Sequence, residues 1–250
     1  MRAVVVVPTF NERENIEPFL RAVRQAVPDA DVLVVDDNSP DGTGQIADTV
    51  AAELGRVKVL HRPGKQGLGS AYRHGFTIAL DEDYEVVVSM DVDFSHDPSV
   101  IPNLLSSVDR GADAVIGSRY VPGGGTANWP LHRRLLSRWG NRYVGMLLGL
   151  GVRDATSGFR AYRASALRDI DHAATSAEGY AFLTELVRRL ATRGHPIVEV
   201  PIIFRDRERG TSKMSGRIIM ESMLLVTRWG LSDVVHGRRP HRPRRSSSAR

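Results

Sequence analysis

Five short runs of β-branched residues, separated by helical patterns, constrain this chain more than any other feature. Ala3 to Val7, Asp31 to Val35, Val57 to Leu60, Glu85 to Met90 and Ala112 to Gly117 read as strands buried on both faces. Between them, Glu12 to Val27, Gly42 to Leu54, Gly69 to Leu80 and Pro98 to Val108 carry helical spacing, several with Asn, Asp or Ser near the start. Strict alternation of strand and helix predicts an α/β fold, a mainly parallel twisted sheet with helices on both faces. Polar clusters stand directly after three of the strands: Pro8 to Glu12, Asp36 to Thr43 and Asp91 to His96. In an open α/β sheet those carboxyl ends line the ligand crevice.

Past Gly117 the pattern changes. Pro122 to Gly125 reads as a loop, Leu131 to Leu150 as an arginine-rich helix, and Phe159 to Arg163 as a short strand or turn. A helix around Tyr180 to Thr192, an alternating strand from Ile197 to Phe204 and an amphipathic helix from Ser215 to Val235 complete the chain. With 250 residues and no internal repeat, one domain is expected over 1–236, its first half (about 1–117) binding a nucleotide and its second (about 118–236) building the acceptor side.

Charge and composition exclude several classes. The formal charge of +5 comes largely from the tail 237–250, which holds six arginines and no acid, so the body is close to neutral. Such a tail is expected to be disordered, with attraction to anionic lipid headgroups as its functional reading. Nucleic acid is not expected as a partner, because no RNA-stacking motif accompanies the basic run. There is no cysteine, which rules out disulfides and thiolate chemistry. No signal peptide opens the chain, and no stretch reaches the ~20 apolar residues of a membrane span. The histidines fall at no metal-binding helical spacing, and His96 is expected to orient the loop after the fourth strand.

The acidic clusters carry the chemistry. A nucleotide-sugar donor develops negative charge on its diphosphate as the glycosidic bond breaks, and a hard divalent cation held by carboxylates stabilises that charge. Asp91 and Asp93, two apart in a turn at a strand end, can address one ion, with Asp37 at the base or ribose end of the nucleotide. No glycine-rich phosphate loop follows the first strand, which argues against a dehydrogenase or a P-loop NTPase.

Pro8-Thr9-Phe10-Asn11-Glu12, Asp36-Asp37-Asn38-Ser39-Pro40-Asp41-Gly42-Thr43 and Met90-Asp91-Val92-Asp93-Phe94-Ser95-His96 resemble the nucleotide-binding half of family 2 glycosyltransferases, with their GT-A-like fold. Lys65 to Gly69, Gly117 to Tyr120, Asp154 to Arg160, and Phe204 to Arg207 with Gly210 to Lys213 extend the resemblance to the polyprenol-phosphate (dolichol-phosphate) mannose synthases over residues 3 to about 225. The resemblance implies inverting transfer of mannose from GDP-mannose to a polyprenyl monophosphate, giving a β-linked product and GDP. It places Pro8, Phe10, Glu12, Val35, Asp37, Lys65, Asp91, Val92 and Asp93 at the nucleotide. Asp91, Asp93 and Ser95 would hold Mg2+ or Mn2+; relatives often carry Gln at the last position, and the Ser95 hydroxyl is a shorter, weaker ligand. Arg119, Arg133 and Ser137 would receive the acceptor phosphate, and Asp93, Arg119, Arg207 and Lys213 would serve transfer.

The bottom-up chemistry agrees with that assignment. A phosphate acceptor is already ionised and needs no general base, but it must be brought beside a second polyanion, which calls for arginine and lysine. The alternative for Arg133, Arg134, Arg138 and Arg142 is a single solvated helix face. Two further readings stay open: a UDP-glucose-dependent transferase acting on the same lipid, and a silent nucleotide-sugar-binding scaffold. Peripheral attachment to the cytoplasmic face of a membrane is expected, with room for a separate membrane protein as anchor.

Overall fold

A computed structural model describes residues 1–207 and 216–235. The five expected strands form β1 (Ala3–Thr9), β2 (Asp31–Asp36), β3 (Val57–His61), β4 (Val86–Ser89) and β5 (Ala114–Ser118). The helices between them are α1 (Ile16–Ala26), α2 (Thr43–Leu54), α3 (Leu68–Asp81) and α4 (Ile101–Asp109). The second half supplies β6 (Gly125–Thr126), α5 (Leu131–Leu147), β7 (Arg160–Arg163), α6 (Ala164–Asp169), α7 (Gly179–Arg193), β8 (Ile197–Pro201), β9 (Ile203–Phe204) and α8 (Gly216–Val235).

Seven strands form one sheet in the order β3-β2-β1-β4-β7-β5-β8, parallel except for β7, which is antiparallel to both β4 and β5. Central strands are apolar on both faces, as parallel sheets require. Val5 and Val7 of β1 join one core with α1, α2 and α4, while Val4 and Val6 join a second core with α3, α6 and α7. Helix α3 lies close on β1: a Cβ at Gly75 would stand 2.5 Å from Val6 Cγ1, so only glycine fits the contact.

The strand order reverses direction between β1 and β4. Their pairing ends at Val6↔Ser89, whereas β1 continues beside β2 to Thr9↔Asp36. A crevice therefore opens at the carboxyl ends of β1 and β4, the topological switch point of the sheet. Pro8, which has no N–H for a ladder bond, stands where pairing to β4 has already stopped.

Two expectations need correction. The run Ile197 to Phe204 is not one strand but two, split at the buried Ile202. Its first part extends the main sheet beside β5, and its second pairs in parallel with β6, which begins at Gly125, the last residue of the expected loop. The run stays largely apolar through the break, so composition alone could not mark it.

A third, smaller core joins α5 and α8 around Val144, Leu148 and Val226. Tyr143 and Thr227 hydroxyls share a hydrogen bond of 2.8 Å across the two helices. No helix among the described residues is long and apolar enough to cross a membrane.

Candidate active site

Asp91 and Asp93 follow β4 at the mouth of the crevice. Burial first, and the Asp93 carboxylate second, push the Asp91 carboxyl up to about 7. Tyr72, fully buried on α3, donates its hydroxyl to Asp91 Oδ1 at 3.2 Å. Glycine at 158 keeps the other oxygen accessible, since a Cβ there would stand 3.3 Å from Asp91 Oδ2. Asp93 accepts the Ser95 backbone N–H at 3.0 Å and pairs with Arg207 Nη2 at 2.9 Å. Asp91 and Asp93 both line one cavity, and the repulsion between their charges would be relieved by a cation. Among the described residues no third His, Cys, Asp or Glu joins them into a metal-ligating group.

At the ends of β1 and β2 lie the residues expected at the nucleotide. Lys65 Nζ stands 4.3 Å above the Phe10 ring, making a flat apolar and cationic platform. Glu12 adds to the acidic field at Asp91, while Glu12 Oε2 accepts from Asn15 Nδ2 at 2.9 Å. Asp36 is buried and structural, accepting from Thr9 Oγ1 and Ser39 N at 2.9 and 3.0 Å. Asp37, expected to meet the nucleotide, also anchors the 62–67 loop: Oδ1 accepts from the buried Arg62 at 2.5 Å, and Oδ2 from the N–H groups of Gln66 and Gly67. Its carboxylate therefore fixes the loop that carries Lys65. Val35 and Val92 side chains are buried in the cores, leaving only their backbone atoms for a nucleotide.

On the other side of the acid pair a cavity of about 590 Å3 extends from Asp91 and Asp93 to the cleft between α5 and α8. Arg119, Arg133, Ser137 and Arg207, the residues proposed to meet phosphate, line it. Its far wall is apolar, formed by Leu136, Trp139 and Val144 of α5 with Met223 and Val226 of α8. Size and lining match a small-molecule site with an apolar body and a few convergent polar groups.

The geometry refines two cationic roles. Arg119 is buried and grips Asp154 through Nε–Oδ2 and Nη2–Oδ1 contacts of 2.7 Å each, with Thr156 Oγ1 also at 2.7 Å. Burial would raise the Asp154 carboxyl, but the guanidinium overcomes this and holds it below the usual carboxylate range. Arg133 stands at the rim, 4.1 Å over the Trp129 ring and 3.0 Å from Asp206. Ser137 accepts a 2.6 Å hydrogen bond from the Tyr120 hydroxyl. Lys213 lies outside the described residues, as do 208–212 and the tail 237–250.

Ser95 is buried, and its carbonyl accepts from Arg205 N at 3.1 Å, tying the acidic turn to the segment that carries Arg207. His96 is buried between Phe159 and Phe204, with ring centroids 5.3 and 5.2 Å away. Burial, aided by the Arg119 charge, lowers it to about 4, so the ring is neutral and packs between the two aromatic rings.

Sequence reasoning gave no role to Arg160, Arg62, Asp154 or Tyr72. Arg160 is fully buried and donates to the carbonyls of Ala155, Ser157 and Leu183, each at 2.6 Å. It thereby holds the 155–158 turn against Asp91. Arg160 and Asp154 stand in a motif visible in the sequence, but nothing in their spacing names their partners.

Residues 4–171 match the model of glycosyl transferase family 2. The chain is 53% identical over 232 residues to an undecaprenyl-phosphate mannosyltransferase of Micrococcus luteus, covering 93% of this chain and 95% of that one. It is 50% identical to a polyprenol monophosphomannose synthase of Mycolicibacterium smegmatis, over 92% of this chain and 87% of the relative. A dolichol-phosphate mannosyltransferase of Pyrococcus furiosus is 36% identical over 91% of this chain and 63% of its own length. Among solved structures, glucosyl-3-phosphoglycerate synthase from Mycobacterium tuberculosis, in complex with Mn2+, UDP and glucosyl-3-phosphoglycerate, aligns with a TM-score of 0.60 at 19% identity, covering 95% of this chain and 80% of that one. A mannosyltransferase from Pyrobaculum calidifontis in complex with GDP-Man and Mn2+ aligns at 0.56 and 16% identity, over 94% and 73% of the two chains. These structural likenesses speak to the GT-A-like fold. With the family model matching well over half its length, and two relatives at 50% identity or more along nearly all of it, this chain belongs to glycosyl transferase family 2.

Proposed function

We propose that the protein transfers mannose from GDP-mannose to the phosphate of a polyprenyl lipid, with inversion at the anomeric carbon. One observation carries the reading: a single cavity joins the Asp91–Asp93 pair to arginines and then to an apolar cleft between two helices. Nucleotide diphosphate, lipid phosphate and isoprenoid chain each have a matching surface, in the order in which the reaction needs them. The names of the relatives in Micrococcus luteus, Mycolicibacterium smegmatis and Pyrococcus furiosus supply the mannose and the lipid phosphate.

Phe10 and Lys65 would form a platform for the guanine, with Asp37 holding the Lys65 loop in place. Asp91 and Asp93 fit a divalent cation, because the Asp91 carboxyl, raised by burial and then by the Asp93 charge, is short of the compensating positive charge that an ion would supply. Mg2+ and Mn2+ commonly take one or two carboxylates and complete their shell with substrate phosphate, so two protein ligands suffice. When bound, such an ion stabilises the departing diphosphate. Arg207, already beside Asp93, adds a second positive charge at the junction of the two substrates. Arg133 and Ser137 would orient the acceptor phosphate, whose oxygen attacks C1 of mannose while the C1–O bond to GDP breaks. The attacking oxygen is ionised already, so no protein base is assigned.

The exposed apolar residues of α5 and α8, including Leu131, Leu135, Trp139, Leu224 and Leu231, suit peripheral contact with the cytoplasmic face of a membrane, where a lipid acceptor is met. The arginines of 238–250 would add attraction to anionic headgroups. Purified protein given GDP-mannose or UDP-glucose, with a short-chain polyprenyl phosphate in detergent, tests the assignment. Labelled mannolipid from GDP-mannose alone is expected; product from UDP-glucose alone would make it a glucosyltransferase, and product from neither would favour a silent binder.

A further inference from the structure

Helix α5 separates two concave surfaces, and only one of them belongs to the reaction cavity. Arg133, Ser137, Asn141 and Val144 face the cavity. About 100° round the same helix, Arg138, Arg142 and Gly145 line a second groove, closed on its other side by Gly149 to Arg153. Only Asn141 is common to both. The exposed arginines of this helix thus divide: Arg133 lines the cavity, Arg138 and Arg142 line the groove, and Arg134 lines neither.

We propose that the second groove binds a phosphate ester, with an anionic lipid headgroup as its expected source. Arg138, Arg142 and Arg153 line it, and among the described residues no acidic one does. Among the described residues none of the three forms an ion pair. The nearby Glu199 makes no ion pair with them; its two oxygens accept from the backbone N–H groups of Arg153 and Asp154, at 2.8 and 2.9 Å. Those two bonds also hold Arg153 in place at the groove wall. Arg138 and Arg142 are four residues, about 6 Å, apart along the helix, a spacing that lets both reach one phosphate.

The carbonyls at the end of α5 oppose an anion here, by less than roughly fivefold in affinity. Each arginine near an anionic surface contributes roughly fivefold in the other direction, and there are three. Placement argues for a lipid source. Met146 in the groove is 67% exposed, and Leu131, Leu135 and Trp139 on the same helix are 57–68% exposed, so an apolar strip runs beside the cationic groove. A headgroup seated there would set α5 at the bilayer surface with the reaction cavity opening toward the lipid. The inference stands on the groove alone and does not depend on which sugar is transferred.

The test compares the full chain with a triple variant, Arg138→Gln, Arg142→Gln and Arg153→Gln. A charge-matched control carries Arg56→Gln, Arg110→Gln and Arg193→Gln, all outside the groove. Sedimentation with vesicles of phosphatidylglycerol and phosphatidylcholine is measured at low salt, and thermal unfolding is followed with and without inorganic phosphate or glycerol 1-phosphate. The groove variant is expected to lose about tenfold or more in vesicle affinity, with the control much less affected. Transfer to a detergent-dispersed acceptor should stay near the wild-type rate in both. If vesicle binding is unchanged but stabilisation by the soluble phosphates is lost only in the groove variant, the site takes a phosphate ester from solution instead. Equal losses in groove variant and control, or no loss in either assay, would overturn the proposal.

Discussion

Replacing Asp91 by asparagine separates the electrostatics of the crevice from its shape, because the amide has nearly the size of the carboxyl. The Asp91 carboxyl titrates at about 7 in the folded protein against an ordinary value of 3.8, chiefly because it is buried and faces Asp93. Between those pH values the folded state holds a proton that the unfolded state has released, so stability falls as pH rises through this window and stays low above it. The full difference is worth about 4 kcal/mol; water entering the cavity screens part of it, leaving about 2–4 kcal/mol. The substituted amide carries no charge to bury. In EDTA at pH 8.5 the variant should therefore unfold roughly 5–10 °C above the wild type, for a chain of this size. At pH 5, where the wild-type carboxyl is protonated, the two melting curves should nearly coincide. Adding Mn2+ should raise the wild type at pH 8.5 and leave the variant where it was, while mannosyl transfer by the variant is lost. A variant no more stable than wild type at pH 8.5 in EDTA would refute the reasoning.

Proton and cation compete for the same carboxylate, so metal affinity measured by calorimetry should rise about tenfold per pH unit below 7 and level off above it; a flat profile would remove Asp91 from the ion. Asp154→Ala strands the buried Arg119 guanidinium and should cost about 3–5 kcal/mol in urea unfolding, whereas a loss below about 1 kcal/mol would show that the pair is solvent-screened. Lys65→Ala should weaken GDP binding roughly three- to tenfold through the lost contact over Phe10, with kcat at saturating donor retained. Arg207→Ala should lower kcat by about 10²–10³ and leave GDP affinity little changed; Lys213→Ala should follow the same pattern, and normal kinetics in both would end their assignment to the phosphates.

Much of the donor half was legible because its signals are local. Runs such as Ala3 to Val7 are apolar at every position, which fits only a strand covered on both sides, and the polar residues that follow must then lie at one end of the sheet. Asp91 and Asp93 could be placed together from a spacing of two. Contacts that join distant segments were less legible, in either half. Asp37 reaches Arg62 and the 66–67 backbone, 25 to 30 residues away, and Arg119 reaches Asp154 across 35 residues. Neither partner is recoverable from periodicity. The antiparallel β7 could be read as a short strand, but its insertion between β4 and β5 depends on how α5 returns the chain. The break of the Ile197 to Phe204 run at Ile202 was hidden for a different reason: a residue buried at a corner looks, in sequence, like one buried in a strand.

At the centre of the account is a phosphate oxygen that attacks without a protein base, held by cations opposite the acid pair. Transfer from GDP-mannose to a short-chain polyprenyl phosphate, compared with the free polyprenol of the same length in the same detergent, tests this most directly. Rapid formation of β-mannosyl phosphate lipid, with no detectable transfer to the alcohol, is the predicted result. Comparable rates to both acceptors would contradict it, because an alcohol must lose a proton that none of these residues is assigned to take.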